Sequence, residues 1–252
     1  MRFLFVIVFV ILVRIAFGQS YENIIVISDI DDTYKITNTT SGITAFTNAM
    51  FSTRVFAGST EMYNLMKQEG ARLYFISNTP SIIAWRVKKL IRENGVRCDG
   101  YFLRTAGEPG IKHKIETICS IVDSCPGTRL ILIGDNSEND ELVYDSIAGM
   151  YPGRVAAVYI RPVRDLPRIC TQYVYFSAVD IAFYECENKR LKEIQVEIVF
   201  NAVHAADITR VVPGFIPVNE KILLNEVAGC FYPHCLFKNK TLEWVLDAYK
   251  HR

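Results

Sequence analysis

Three carboxylates follow an apolar run near the start of the chain. The run covers 24–27, and Asp29, Asp31 and Asp32 come shortly after it, ahead of Thr33. An uninterrupted run of β-branched residues is typical of a strand buried in a parallel sheet, where carboxylates are costly without a neutralising cation. The acids therefore belong at the surface end of the strand, and the Asp29-x-Asp31 spacing points two carboxyl groups the same way. Such oxygen ligands favour a hard divalent cation such as Mg²⁺, with a phosphate group on its far side.

Polar groups also follow two later apolar runs. Ser77 ends one predicted strand, and Asp135 ends another, with Asp140 a few residues further on. Lys114 lies near the start of the helix predicted before the second of these strands. Because the carboxyl ends of parallel strands meet at one edge of a sheet, we expect all these groups to lie near Asp29.

Apolar strand patterns alternate with helical ones over 24–161, which predicts an α/β fold with right-handed crossovers. The predicted strands are 24–28, 72–76, 101–104, 130–135 and 155–160, and the predicted helices are 60–70, 81–94, 112–123 and 142–150. Residues 35–53 are expected to form a loop or small hairpin over the strand end. The intervals between the motifs leave no room for a separate cap domain, so we expect an open site.

The pattern is weaker after about residue 162. A last strand is expected at 172–176, and 177–206 is mostly helical in pattern, although 195–200 is rich enough in β-branched residues to be ambiguous. A loop is expected at 211–217 and a final helix at 241–251.

Composition limits the class of partner. The chain has 252 residues, half of them hydrophobic, and a net charge of +1, which argues against disorder and polyelectrolyte binding. Basic residues are not interleaved with aromatics in a stripe, so we expect no nucleic-acid partner. No required protein partner is indicated. The basic helix face at 86–92 is expected to be a solvated surface, with binding of anionic membranes as the alternative.

The first residues resemble a secretory signal. A basic start is followed by an apolar stretch at 3–13 and by small residues at Ala16 and Gly18, which predicts cleavage after Gly18. The expected location is secreted or in the secretory lumen, or the periplasm in a bacterial host, and an uncleaved membrane anchor is the alternative. Glycosylation acceptors at Asn38 and Asn239 agree with secretion in a eukaryote.

The cysteines fit an oxidising compartment. All of them follow the predicted signal, several are expected to form disulfides, and an odd number leaves one over. Their spacing does not favour a zinc site. They are Cys98, Cys119, Cys125, Cys170, Cys186, Cys230 and Cys235.

The order of the motifs resembles that of the haloacid dehalogenase superfamily of phosphohydrolases. That superfamily has Asp-x-Asp-x-Thr after an apolar strand, then a Ser or Thr ending the next strand, a Lys, and Gly-Asp followed by another acid. The sequence matches these motifs at 29–33, Ser77, Lys114 or Lys112, and 134–140. Lys114 is preferred because its distance to the fourth strand fits the superfamily better.

A narrower resemblance covers 24–161. Ser-Asp-Ile-Asp-Asp-Thr, Ser-Asn-Thr-Pro, Lys-His-Lys and Ile-Gly-Asp-Asn-Ser-Glu-Asn-Asp are similar to the catalytic domain of the actin-patch-associated phosphatidate phosphatases. The resemblance implies a three-layer, Rossmann-like fold with a mainly parallel central sheet and no large cap domain. We expect a signal peptide at 1–18, this catalytic domain at 19–164, and a mostly helical C-terminal extension at 165–252 of unknown role.

The same chemistry assigns roles to the motif residues. Asp29 is the candidate nucleophile, which would form an aspartyl-phosphate, and Asp31 is the candidate acid and base. Asp32 is expected to make a local turn contact. The resemblance implies that Ser77 and Lys114 hold the non-reacting phosphate oxygens. The remaining expected site residues are Thr33 and Asn78 at the substrate, and Asp29, the Asp31 carbonyl, Asp135 and Asp140 at Mg²⁺.

The leading prediction is therefore a Mg²⁺-dependent phosphatase acting on phosphatidate or a related lipid phosphate at a membrane surface. One alternative is a secreted phosphatase for soluble or protein-borne phosphomonoesters. Another is a catalytically idle secreted binding protein with the same fold.

Overall fold

A single parallel sheet forms the centre of the protein. The structure is a computed structural model that describes residues 21–38, 52–164, 169 and 171–216. Within these residues the sheet has six strands, all parallel, in the order β3-β2-β1-β4-β5-β6. They are β1 (Ile24–Ser28), β2 (Arg72–Pro80), β3 (Gly100–Arg104), β4 (Arg129–Asp135), β5 (Val155–Arg161) and β6 (Tyr173–Val174). The predicted α/β fold with a mainly parallel sheet is confirmed.

Helices cover both faces of this sheet. In the described part of the chain they are α1 (Ser59–Gln68), α2 (Ala84–Asn94), α3 (Gly110–Asp123), α4 (Asp140–Met150), α5 (Ala178–Glu187), α6 (Glu193–His204) and the short α7 (Ile208–Val211). Single 3-10 turns precede β1 and α2, at Tyr21–Asn23 and Ser81–Ile83.

The strand β1 shows why three layers form. Its side chains alternate between the two faces of the sheet. Ile24 and Val26 pack in the core that includes α1, α2, α5 and α6. Ile25 and Ile27 pack in the second core, against α3 and α4. All four side chains are buried, which explains why the sequence shows an unbroken apolar run instead of an alternating one.

Residues 171–216 add to the same sheet and to the same helical layer. β6 pairs with β5, and α5 and α6 pack on each other and on α1. Gly58, at the start of α1, has a φ of 74°, and a Cβ there would lie 2.6 Å from Val203 of α6. α6 therefore approaches α1 closely. The predicted domain boundary at residue 164 stays a prediction.

The elements differ from the sequence-based expectation mainly at their ends. β2 continues to Pro80, because Pro80 still pairs with β3 after a register shift at Ser77. The ambiguous segment 195–200 is helical and lies inside α6, whose buried side chains include Val196 and Val199. α7 occupies 208–211. Within the described residues, the loop predicted at 211–217 therefore begins at 212 instead of 211.

Several predictions concern residues outside the described part. These are the signal at 1–18, most of the loop or hairpin at 35–53, the acceptor at Asn239, the helix at 241–251, and Cys170, Cys230 and Cys235. Cys98, Cys119, Cys125 and Cys186 are described, and none of them forms a disulfide with another described cysteine. Among the described helices, none combines the length and the apolar character needed to cross a bilayer.

Candidate active site

The site lies where the chain changes direction across the sheet. β1 has β2 on one side and β4 on the other, because the chain runs outward from β1 to β2 and β3 and then crosses back to β4 on the opposite side of β1. Ser28 pairs with Ile133, and the Asp29 amide donates to the Ile133 carbonyl at 2.9 Å. Asp29 consequently lies beside the Gly134–Asp135 end of β4. A crevice of this kind is the usual ligand site of an open parallel sheet.

Three buried carboxylates converge in this crevice. Asp29, Asp135 and Asp140 each place a carboxylate oxygen within 4.8 Å of the others. Asp140 opens α4, close behind the end of β4. Lys114, from the first turns of α3, donates to Asp29 Oδ1 at 2.8 Å and to Asp140 Oδ1. The structure therefore brings four of the predicted site residues into direct contact or close proximity.

Burial and mutual repulsion shift the ionisation of this cluster. Burial raises the pKa of Asp29 well above its usual range, although Lys114 acts in the opposite direction. Burial, with the nearby Asp140, raises the pKa of Asp135 to about 7. Burial alone would lower the pKa of Lys114, but Asp140 and Asp29 raise it above its usual range. One lysine cation thus faces three carboxyl groups. The cluster has too little positive charge to neutralise all three as carboxylates.

The donor set fits a hard divalent cation. Asp140 Oδ2 is buried and accepts no hydrogen bond from the described residues. Three convergent carboxylates with an unsatisfied oxygen and too little positive charge are the ligands that Mg²⁺ takes in proteins. The residues that would hold it are Asp29, Asp135 and Asp140.

Asp31 lies in a different environment from these three acids. Its side chain keeps a fifth of its surface exposed. Oδ1 accepts from the Thr37 hydroxyl at 2.6 Å, and Oδ2 accepts from Thr79 at 2.9 Å and from Ser77 at 3.4 Å. Lys35 Nζ is 4.0 Å away. A carboxyl group held by hydroxyls at the edge of a cleft is placed for proton transfer.

The remaining predicted residues lie around the same crevice. Thr33 is buried and donates to Asp135 Oδ2 at 3.0 Å, so it orients a carboxylate. Asn78 donates to Glu138 across the mouth of the site. Lys112, the alternative to Lys114, has 61% of its side chain exposed. Its Nζ lies 3.8 Å from Glu116 Oε1.

Asp32 makes the local turn contact that the sequence predicts. It has a φ of 57°, and its Oδ1 accepts from the backbone amides of Thr37 at 2.8 Å and Asn38 at 2.7 Å. The turn that it closes carries Thr37 back to Asp31. Asp32 therefore supports the site without lining its cleft.

The sequence reasoning missed three residues that position the acids. Thr79 lies two residues after Ser77 in an extended strand, so both side chains fall on one side, and this signal was present in the sequence. Ser137 donates its amide to Asp135 Oδ1 at 2.6 Å in the local turn that an Asp-x-Ser sequence favours. Thr37 reaches Asp31 only through the turn closed by Asp32, which no local pattern indicates.

The cleft itself is small and open at the surface. Its volume is about 230 Å³. It is lined by Asp29, Asp31, Ser77, Asn78, Lys114, Asp135, Ser137, Glu138 and Asp140. A second groove of about 450 Å³ borders Asp31 and Thr79 on the side of α2.

The fold and the site together define a Rossmann-like α/β protein of the three-layer class, with a cluster of acids around a lysine at the carboxyl edge of its sheet. Within this class, the chain belongs to the family described as "Phosphatidate phosphatase APP1, catalytic domain", whose model matches residues 24–162. The matched residues include every site residue discussed above.

Two fungal proteins are similar over the same region. An uncharacterised protein of Schizosaccharomyces pombe is 28% identical over 158 residues, which cover 56% of this chain and 26% of that protein. Phosphatidate phosphatase APP1 of Saccharomyces cerevisiae is 28% identical over 152 residues, which cover 54% of this chain and 25% of that protein. The matched region thus spans about a quarter of the length of each relative.

Solved structures offer a more distant likeness. A chain in the "Structure of Pnkp1/Rnl/Hen1 complex" superposes with a TM-score of 0.41 at 16% identity, covering 63% of this chain and 48% of that chain. A likeness at this level carries no functional information.

Proposed function

We propose that this protein is a Mg²⁺-dependent phosphatase that forms an aspartyl-phosphate on Asp29. The observation that carries the proposal is the difference between the surroundings of two acids at the end of β1. Asp29 is buried against Lys114, whereas Asp31, two residues later, keeps a fifth of its side chain exposed and is held by hydroxyl groups. A nucleophile and an acid–base group side by side are what a double-displacement hydrolysis needs.

In the first half of the reaction, a carboxylate oxygen of Asp29 attacks the phosphorus atom. The bond between phosphorus and the ester oxygen breaks, and Asp31 gives its proton to that oxygen, so the alcohol leaves neutral. Lys114 binds Asp29 Oδ1 at 2.8 Å, which holds the carboxylate in place and leaves Oδ2 for the attack. The products are the alcohol and an aspartyl-phosphate.

In the second half, Asp31 takes a proton from a water molecule. The water oxygen attacks phosphorus, the bond to Asp29 breaks, and inorganic phosphate leaves. Asp31 is again protonated and Asp29 is again a free carboxylate, so atoms and charges balance. Ser77 and Thr79 hold Asp31 Oδ2 during both proton transfers.

Two cations would offset the repulsion between Asp29 and the phosphate. Lys114 supplies one from the protein. Mg²⁺, held by Asp29, Asp135, Asp140 and the Asp31 carbonyl, would supply Lewis-acid stabilisation of the phosphoryl oxygens. Thr33 and the Ser137 amide keep Asp135 oriented for this role.

The proposed substrate is phosphatidate or a related lipid phosphate. Membership of the phosphatidate phosphatase family supports this class, and so does the name of the yeast relative. The open cleft also suits a bulky substrate with an accessible headgroup. A secreted phosphatase for soluble or protein-borne phosphomonoesters is the second candidate, since the same cleft would admit those groups. An idle binding protein would have no need for both Asp29 and Asp31.

Phosphate release by the purified chain tests this proposal. With Mg²⁺, the protein should hydrolyse an aryl phosphate and a short-chain soluble phosphatidate, and the phosphatidate should be preferred. Asp29→Asn should lower both rates by at least about 10³-fold, because it removes the nucleophile. Asp145→Asn is the matched control, since Asp145 is exposed on α4.

Three outcomes decide between the proposed functions. Equal rates for Asp29→Asn and the wild-type protein would contradict the mechanism. Turnover of aryl phosphate with no preference for phosphatidate would favour the soluble-substrate phosphatase. No release from any phosphate ester would favour the binding protein.

A further inference from the structure

The 3-10 turn before α2 and the first turn of α2 expose two large apolar side chains beside the site. Ile82 has 86% of its surface exposed and Trp85 has 57%. Both lie just after β2, whose end supplies Ser77 and Thr79 to the acid–base group. The opposite side of the helix is anchored in the core by Val87 and Leu90. The exposed pair is therefore a fixed feature of the surface.

Basic residues continue the same surface along the helix. Lys88, Lys89 and Arg92 follow Trp85 at intervals of three, four and seven residues, and all three are exposed. Side chains at these intervals lie on one side of a helix. We call Ile82, Trp85, Lys88, Lys89 and Arg92 the apolar–basic face.

The local charge of α2 contrasts with that of the whole chain. The helix carries four basic residues and one acidic residue, Glu93, whereas the chain as a whole has a net charge of +1. Arg86 is the fourth basic residue, and its guanidinium lies 4.2 Å from the centroid of the Trp85 ring. Tryptophan together with Lys and Arg is the combination found on helices that lie in the interface of an anionic membrane.

This face also borders the catalytic region. The groove of about 450 Å³ is lined by Asp31 and Thr79 on one side and by Ile83, Arg86 and Lys89 on the other. A surface that covers α2 would therefore meet the acid–base group at the edge of the same groove.

A second exposed apolar pair provides a contrast. Ile194 and Ile198 on α6 are 61% and 44% exposed, at an interval of four residues. Their neighbours in sequence are Glu193 and Glu197, which an anionic surface would repel. Apolar exposure thus occurs elsewhere in the described part of the protein, and on α6 it is accompanied by negative instead of positive charge.

We propose that the apolar–basic face docks the protein on an anionic membrane surface. Ile82 and Trp85 enter the interface, and Lys88, Lys89 and Arg92 face the lipid headgroups. Docking brings the groove beside Asp31 to the bilayer, where a lipid phosphate is presented. The inference rests on the proposed function for its lipid substrate, but binding to the surface needs no catalysis.

Vesicle sedimentation tests the docking directly. The full chain is mixed with vesicles of phosphatidylcholine alone or with phosphatidylglycerol, an anionic phosphodiester that gives a phosphomonoesterase nothing to hydrolyse. Binding should be at least about tenfold stronger with phosphatidylglycerol and should weaken as salt is raised. Ile82→Ser with Trp85→Ala, and separately Lys88→Glu, should each weaken this binding by about tenfold or more.

Matched controls separate docking from general surface effects. Ile194→Ser removes an apolar side chain on α6 that is about as exposed as Trp85, and Arg129→Glu reverses an exposed charge at the amino edge of the sheet. Both controls should bind vesicles like the wild-type protein. In a Trp244→Phe background, Trp85 fluorescence should shift to shorter wavelength on anionic vesicles, because the ring leaves water.

The outcomes distinguish this inference from the proposed function. Equal binding to both vesicle types, or unchanged binding by the Ile82/Trp85 and Lys88 variants, would overturn the docking. So would capture of an acidic protein through this face without vesicle binding. Aryl phosphate hydrolysis should be unchanged in all these variants, and its absence from the wild-type protein would overturn the phosphatase and leave the docking result standing.

Discussion

At the residue level, the site places its carboxylates in two electrostatic environments. Asp29, Asp135 and Asp140 are buried around one lysine, and burial raises the pKa of both Asp29 and Asp135. Asp31 is partly exposed and held by three hydroxyl groups. Burial by itself would favour the protonated form of Asp29, so its role as a nucleophile depends on Lys114, which lowers its pKa, and on the cation that the cluster would hold.

The Thr79 hydroxyl gives a first prediction at this scale. Thr79→Val should lower kcat by about 10- to 150-fold, because a hydrogen bond to the reacting acid is worth about 1.5–3 kcal/mol. Steady-state kinetics on an aryl phosphate measures the change. Thr79→Ser keeps the hydroxyl and should retain most of the activity. A loss in Thr79→Ser with none in Thr79→Val would show that the methyl group, and not the hydrogen bond to Asp31, matters.

Protons and Mg²⁺ should compete for the acidic cluster. The folded pKa of Asp135 is raised to about 7, above its value in the unfolded chain, so its stabilising form is the protonated one. Without metal, stability should fall as pH rises from about 4 to about 7. Mg²⁺ binds the deprotonated form, so it should restore the melting temperature at about pH 8 and have little effect at about pH 5.

Thermal unfolding with EDTA or Mg²⁺ at both pH values measures this competition. Asp135→Asn should lose most of the Mg²⁺-induced rise in melting temperature. A rise of the same size at both pH values would contradict the proposed role of the carboxylates.

At the element level, the strand ends could be predicted and the turns could not. The apolar runs at 24–27 and 130–133 require buried strands, so the acids after them had to lie at one edge of the sheet. Lys114 follows from the same logic, because its helix connects two of the strands. Thr37 depends on the turn closed by Asp32, whose φ of 57° is a tertiary result that no periodicity encodes.

The end of β4 gives an element-level prediction. A Cβ at Gly134 would lie 2.5 Å from Asp140 Oδ2 and 2.8 Å from Tyr144 Cε2, so α4 can approach the strand only because this residue is glycine. Gly134→Ala should displace Asp140 and lower both the Mg²⁺-dependent activity and the melting temperature.

Gly149, which lies on α4, provides the matched control. A Cβ there meets nothing within 4 Å, and alanine favours a helix interior by about 0.5–1 kcal/mol. Gly149→Ala should therefore keep full activity and slightly raise stability. A Gly134→Ala variant as active and stable as Gly149→Ala would contradict the close approach of α4.

At the level of the whole molecule, a buried ion pair joins residues after 164 to the sheet. Glu185 accepts from the hydroxyls of Tyr21 at 2.7 Å and Tyr159 at 2.5 Å, and from Arg190 at 2.6 and 2.8 Å. Burial and Glu185 raise the pKa of both tyrosines well above their usual range, so both remain donors. No local pattern indicates this network, because Tyr21 and Tyr159 are far from Glu185 in the chain.

Removal of this carboxylate should destabilise the whole fold. Glu185→Ala leaves the Arg190 guanidinium buried without its partner, which should cost about 3–5 kcal/mol in the free energy of unfolding. Urea titration measures it. Glu187→Ala, at an exposed position on the same helix, should change stability by no more than about 0.5 kcal/mol. A loss below about 1 kcal/mol for Glu185→Ala would show that α5 docks without the network.

The central claim is that Asp29 carries the phosphoryl group during turnover, and acid quenching followed by peptide mass spectrometry tests it most directly. The protein turning over an aryl phosphate with Mg²⁺ should yield one phosphoryl group on the peptide that contains Asp29. Asp29→Asn should yield none and should release no phosphate. Phosphate release by the wild-type protein with no phosphoryl group on this peptide, or with the group on another residue, would contradict the account.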